Sequence, residues 1–202
     1  MASVRAIAAV TQAIAGVLSD ARQTAAGLVP NHQNIAVVPM QAVAFNNPPG
    51  LTPGAPGAIG IYLYRLAPSQ ISRAVAPRTM PSGIRVRPPL PLDLFYLITA
   101  WAAQPPEQQR LLAWAMRTLE DTPILPPEVL NAAEPGTFRD DEAVELVIQG
   151  LNQTELVAVW EFNKGAMQAA VTYAARMINL DSNVALPEGP PAQTRGARVV
   201  GI

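Results

Sequence analysis

The 202-residue sequence has no cysteine and only one histidine, His32. Disulfide frameworks, thiol catalysis, zinc fingers and cysteine-ligated clusters are thereby excluded, and most metal chemistry goes with them. Charged residues make up 14% of the chain and aromatics 5%. Half of the residues are apolar, which excludes intrinsic disorder. Thirty-four of them are alanine, so much of this hydrophobicity is small side chains suited to close backbone approach. No window reaches the ~18 uninterrupted apolar residues of a membrane span. The stretch 3–26 comes nearest, but Arg5, Gln12, Asp20, Arg22 and Gln23 interrupt it and argue against both a span and a signal peptide. A soluble product of cytoplasmic assembly, with no membrane partner, is the expectation.

Acids are also missing locally. Residues 21–92 hold no Asp or Glu but six arginines, namely Arg22, Arg65, Arg73, Arg78, Arg85 and Arg87, whereas residues 93–202 hold fourteen acids against seven bases. The net charge of −1 therefore conceals a +6 segment followed by a −7 segment. Lys164 is the sole lysine beside thirteen arginines. Arginine pairs bidentately and stacks at interfaces, although a GC-rich coding sequence would favour the same Arg, Ala, Gly and Pro. Opposite charges on two flanks of one subunit favour head-to-tail contacts between copies, and closure of such contacts makes a ring.

No catalytic, cofactor-binding or metal-ligating residue is expected. GxSxG, P-loop, GxGxxG and HExxH patterns are all absent. His32 lies in the loop VPNHQN, where a lone imidazole reads as a solvated side chain. The acids Glu120–Asp121 and Asp140–Glu142 sit in polar segments, as loops and helix starts do. Asp93 is the unusual carboxylate, inside an apolar run; burying it unpaired would cost several kcal/mol, so a structural ion pair with Arg85, Arg87 or Arg176 is expected. An arginine-mediated nucleic-acid binder or adaptor is the alternative. Against nucleic acid stand the single lysine, the isoelectric point near 5.8 and the lack of aromatics between Arg73 and Arg87.

Apolar periodicity predicts an amphipathic helix from an N-cap at Ser3 to near Gly27, with Val4, Ile7, Val10, Ile14, Val17, Leu18 and Ala21 on one face. Residues 35–45 read as an edge strand interrupted by Pro39, and 46–57 as a Pro/Gly loop. Alternation from Ile59 to Leu66 marks a strand, and 67–87 an irregular, Arg-rich excursion. Residues 90–101, apolar on both faces, read as a central strand. A helix should follow Pro105 and Pro106 and stop before Pro123, while 144–148 is open between strand and helix. Asn152 and Glu155 form a capping box before a helix over about 153–162. Residues 170–180 alternate as a last strand. The fold class is α+β, a mainly antiparallel sheet flanked by helices. A domain over 1–186 is followed by an extended Pro/Gly tail, 187–202, closing on Val199, Val200 and Ile202.

Several strings carry a family resemblance. RPPLPLDLFYLITAW at 87–101 and QRLLAWAMRTLEDTPILPPEVL at 109–130 are similar to the tail-terminator or cap proteins of extracellular contractile injection systems, phage-tail-like particles of the antifeeding-prophage and virulence-cassette type. IYLYRL at 61–66, ELVAVWEF with Trp160, and VTYAARMINLDS at 171–182 extend the resemblance in order along almost the whole chain. It implies a tail-terminator-like fold and a structural cap with no catalytic residues. Such a cap is a hexameric ring on the baseplate-distal end of the inner tube that engages the last sheath layer. Its partners are then further copies of itself, the inner-tube protein and the sheath protein, in a particle of a kind that can be released from the cell. Candidate contact residues are Arg65, Arg73, Arg78, Arg85, Arg87, Arg195, Arg198, Val199 and Val200. The tail or the 67–87 excursion is expected to reach a neighbouring subunit. The Pro/Gly density of 46–57 and the tail without a second domain depart from the family pattern.

Overall fold

A computed structural model describes residues 4–29, 31–46, 57–70, 76–80, 82–161 and 167–187. In chain order the elements are α1 (Ala6–Asp20), β1 (Ala36–Met40), β2 (Ala58–Pro68), β3 (Arg78–Thr79), β4 (Arg85–Val86), β5 (Leu90–Trp101), α2 (Pro105–Glu120), β6 (Ile124–Leu125), α3 (Pro127–Leu130), β7 (Val144–Ile148), α4 (Gln153–Glu161) and β8 (Ala170–Leu180). Six strands form one sheet in the order β1-β2-β5-β8-β7-β6, antiparallel except for the β1–β2 pair; β3 and β4 form a separate hairpin. The chain is α+β with a mainly antiparallel sheet.

Residues 92–101 of β5 are all buried, because helices cover one face of the sheet and a smaller layer covers the other. On the first face Leu94, Tyr96 and Ile98 share a core with Ile59 and Ile61 of β2, Tyr173 and Ala175 of β8, and Leu146 of β7. Against them lie Ala6, Ala9, Val10, Ala13 and Ile14 of α1 and Leu111, Trp114 and Ala115 of α2. The alanines of α1 bring its backbone close to the sheet. Inside this layer the Tyr96 hydroxyl is 3.0 Å from Thr11 Oγ1, and burial pushes its phenol well above the usual range. On the second face Leu97 and Trp101 pack with Met40, Phe45 and Trp160. Phe45 meets Tyr62 and Trp160 edge-on, each at 5.3 Å between ring centroids.

Two irregularities tune the register. Tyr64 is an extra residue in β2 opposite β5. In β8, Arg176 and Met177 together stand opposite Asp93, with Met177 at φ 70°, and this two-for-one bulge returns Ile178 to the helical face opposite Leu92.

The expected elements recur with corrections. The first helix has its N-cap position at Arg5, which makes no side-chain capping bond; Ser3 lies outside the described residues. Its end tightens into a 3₁₀ segment over Ala21–Ala25 before Gly27, at φ 78°. β1 is an edge strand as Pro39 suggested, but it stops at Met40, and Ala42–Asn46 turns as 3₁₀, which carries Phe45 into the aromatic cluster. The 67–87 excursion contains a hairpin: Met80 N–H donates to Ile84 O at 2.8 Å, with Gly83 at φ 81° in its turn. Residues 144–148 are a strand. The capping box forms, with Glu155 N–H on Asn152 Oδ1 at 2.9 Å and Asn152 N–H on Glu155 Oε2 at 3.0 Å. Asp93 departs most from expectation. It is 8% exposed, its Oδ1 has no hydrogen-bond partner, and no ion pair among the described residues includes it. Arg85 and Arg87 are solvent-facing on the hairpin side, and the β8 bulge interrupts the pairing opposite Asp93 just where Arg176 stands.

Gly60 is the position where a side chain would do most harm to the second layer, since an added Cβ would run into the Met40 sulfur and the Trp101 ring. Gly60→Ala is expected to destabilise the fold by about 1–3 kcal/mol through overpacking, read as a lower urea midpoint at unchanged slope. An unchanged midpoint would show that Met40 and Trp101 yield freely.

Candidate interaction surfaces

Four described arginines of the acid-free segment gather at one end of the sheet, where β2 ends, β5 begins and the β3–β4 hairpin meets the segment after β8. β2 brings Arg65, whose guanidinium stacks 4.3 Å above the Phe95 ring. Arg78 is drawn inward: its Nη1 lies 3.0 Å from Asp181 Oδ1 and 3.2 Å from Glu142 Oε1. Arg139 completes the cluster, with Nη2 at 2.6 Å from Asp181 Oδ2 and its N–H on Glu142 Oε2 at 3.0 Å. Asp181 is 5% exposed and takes both its oxygens' partners from the two arginines, which themselves remain partly open to water. This cluster ties the hairpin to two neighbouring strands at one end of the sheet, through Asp181 after β8 and Glu142 before β7. Main-chain bonds add to it, Arg87 N–H on Val184 O at 3.0 Å and Leu186 N–H on Arg85 O at 2.8 Å.

Arg78 is thus occupied within its own subunit, while Arg65, Arg85 and Arg87 remain exposed. About them stand Leu66, Ile84, Leu90 and Val184, each roughly half exposed, so this end offers cations interleaved with apolar side chains. Arg73, Arg195, Arg198, Val199 and Val200 lie outside the described residues. The acidic segment supplies the far side of the sheet. Asp121, Glu128, Asp140, Asp141 and Glu145 are exposed on and around β6, α3 and β7, with Ile124 exposed among them. Of these acids Asp121 is paired with Arg117, and Asp140 and Asp141 adjoin the Arg78–Arg139 cluster, so Glu128 and Glu145 carry the negative character of the β6–β7 side.

The other constellations carry little chemistry. His32 sits half-buried in a short 3₁₀ turn behind Asn31. Among the described residues no three His, Cys, Asp or Glu side chains come close enough to hold a metal ion, and no helix is long and apolar enough to cross a membrane. A groove of about 320 Å³ runs between β2 and α4, lined by Tyr62, Tyr64, Arg65, Leu151, Glu155, Ala158 and Val159. A wider one of about 610 Å³ lies between α1, β1 and α3 over Ala13, Gly16 and Ala132. Sequence reading missed the roles of Glu142, Arg139 and Asp181, because the four members of their cluster are separated by up to 103 residues.

The sequence pattern of a known family, described as the Pvc16 N-terminal domain, matches residues 9–194. No curated protein matches the chain. Among solved structures it is similar to the sheath/tube terminator of an extracellular contractile injection system, PVC, in the extended state. That match has a TM-score of 0.56 and 16% identity over 97% of this chain and 64% of the other, so the chain spans less than two thirds of that terminator's length. It also resembles the tube-terminating cap of the anti-feeding prophage, with a TM-score of 0.44 and 15% identity over 83% of this chain and 54% of the other.

Asp181→Asn removes one charge from the cluster and leaves Arg78 and Arg139 competing for Glu142. Because both arginines are partly solvated, the expected loss is about 1–3 kcal/mol rather than the larger cost of a fully buried pair. Amide exchange at Val86 and Arg87 should speed up with it. Exchange and melting temperature both equal to those of the unaltered protein would mean that the hairpin is held by its main-chain bonds alone.

Proposed function

Since it belongs to the Pvc16 N-terminal domain family, we propose that this chain is the structural cap of a contractile, phage-tail-like injection particle. It ends the inner tube at the side away from the baseplate and engages the last sheath layer. The observation that carries the proposal is a fold shared with a sheath/tube terminator over 97% of this chain, in a protein of the matching family.

The cap is a homo-oligomeric ring, hexameric by family resemblance. Its partners are the inner-tube and sheath proteins, and it uses no cofactor and makes or breaks no bond. The distribution of charge supports the ring. The arginine end of one copy, Arg65, Arg85 and Arg87 with Leu66, Ile84 and Leu90, faces the acidic flank of the next, around Glu128, Glu145 and Ile124. Arg73 and the tail with Arg195, Arg198, Val199 and Val200 are proposed to extend these contacts toward a neighbouring subunit, tube or sheath. The particle assembles in the cytoplasm and is of the kind released from the cell. A nucleic-acid or adaptor role would draw on the same arginines, but Arg78 is already held by Asp181 and Glu142, and Arg65 already covers Phe95.

Added to polymerising tube protein, the purified chain should halt growth and appear in negative stain at one tube end. A length distribution that does not respond to it would sink the capping role. The double variant Arg85→Glu/Arg87→Glu should weaken ring or cap formation about tenfold or more at low salt, equivalent to about 1.4 kcal/mol. Assembly undiminished at both low and high salt would remove the arginine end from the interface.

A further inference from the structure

A strand from one molecule joins the sheet of another through outward-facing N–H and C=O groups at alternate residues of an edge strand. We propose that proline closes the outer edges of β1, β6 and the β3–β4 hairpin to such addition by a second copy of this chain. At β1, Ala36 N–H donates inward to Gly57 O at 3.2 Å, so Ala36, Val38 and Met40 turn toward β2 while Val37 and Pro39 face out. At the opposite edge, Pro123 O accepts from Leu146 N–H at 2.7 Å. Leu125 therefore turns toward β7, and Ile124 and Pro126 face out.

The hairpin repeats the arrangement on both its sides. Met80 N–H donates to Ile84 O, which turns Arg78 and Met80 toward β4 and leaves Pro77 and Thr79 outward. Beyond β4, residues 184–186 run antiparallel to it through Val184 O and Leu186 N–H, which leaves Ala185 and Pro187 outward. Four edges thus each carry a proline, Pro39, Pro126, Pro77 or Pro187, in a slot where an incoming strand needs a donor. An outward N–H stands next to each proline, at Val37, Ile124, Thr79 or Ala185, but the proline denies an incoming strand the donor at the adjacent outward position. The carbonyl of Pro126 is occupied too, accepting from Val129 and Leu130 at 3.1 Å.

The physical consequence is that copies of this chain do not extend one another's sheets at these four edges, and contacts there run through side chains, as the arginine end and acidic flank would have them do. Its value to an end-piece rests on the capping role, since a cap that accepted strands would seed further growth. Its chemistry does not. The same geometry restricts the tail: a tail that reaches a neighbouring copy cannot extend that copy's sheet at these edges.

Pro39→Val and Pro187→Val each restore a missing donor, whereas Pro105→Ala, in the first turn of α2, removes a proline that guards no edge. The variants are compared with the unaltered chain by light scattering after gel filtration, with neither tube nor sheath present. P39V and P187V should each form species about twofold or more heavier than those of the unaltered chain, growing with concentration, as opened edges pair. The new amide at the substituted residue should be protected from exchange in those species, while P105A behaves like the unaltered chain. Pro187 follows the last paired residue and lies outside the core, so P187V carries the test if P39V does not fold. Masses and exchange matching the unaltered chain would overturn the proposal. An unaltered chain that fails to end tubes would instead defeat the capping role and leave the edge result intact.

Discussion

The requirement that β5 be covered on both faces governs the molecule. The stretch Leu92–Trp101, with almost no polar break, cannot rest against water on either side, and the rest of the chain is arranged to shield it. Alanine-rich α1 and the apolar stripe of α2 take one face. The other receives a patchwork of Phe45, Met40 and α4, whose position is fixed by Trp160. Because the two covers differ in kind, the two faces have different mechanical character. The helical side is continuous and close-packed, and the aromatic side depends on a few rings meeting edge-on.

Charge is then sorted by where each half of the chain falls in the sheet. The acid-free half builds β1, β2 and the hairpin, and the acidic half builds the β6–β7 side. Where the hairpin folds back against the acidic half, the opposite signs neutralise each other in the cluster of Arg78, Arg139, Glu142 and Asp181. What remains unneutralised is a subunit with two unlike flanks, the condition for copies to meet in a directional way.

Much of this was legible in the sequence wherever local physics decides the outcome. The alternation of 59–66 and 170–180, the two-sided apolarity of 90–101 and the Asn152–Glu155 box each predict an element that forms. The short pieces were hidden. β3, β4 and β6 are two residues each, too brief to show a period, and exist because long-range partners supply their bonds. The same reason explains Asp93: strand pattern predicts that it is buried, but partner choice depends on a bulge in β8, more than eighty residues away, that no local rule announces. Of the candidate contact residues, spacing drew attention to the arginines as a group. It could not separate Arg78, spent on internal ion pairs, from Arg85 and Arg87, which remain free to face a partner.

The three tryptophans divide between the two covers. Trp101 and Trp160 lie in the aromatic layer with Phe45, and Trp114 lies beneath the helices with its indole N–H on Thr24 Oγ1 at 2.8 Å. The protein therefore carries an intrinsic optical label on each side of its sheet. Replacing Trp114 with phenylalanine leaves emission from the aromatic side alone, so that light from one wall of the molecule can be followed while the other is docked.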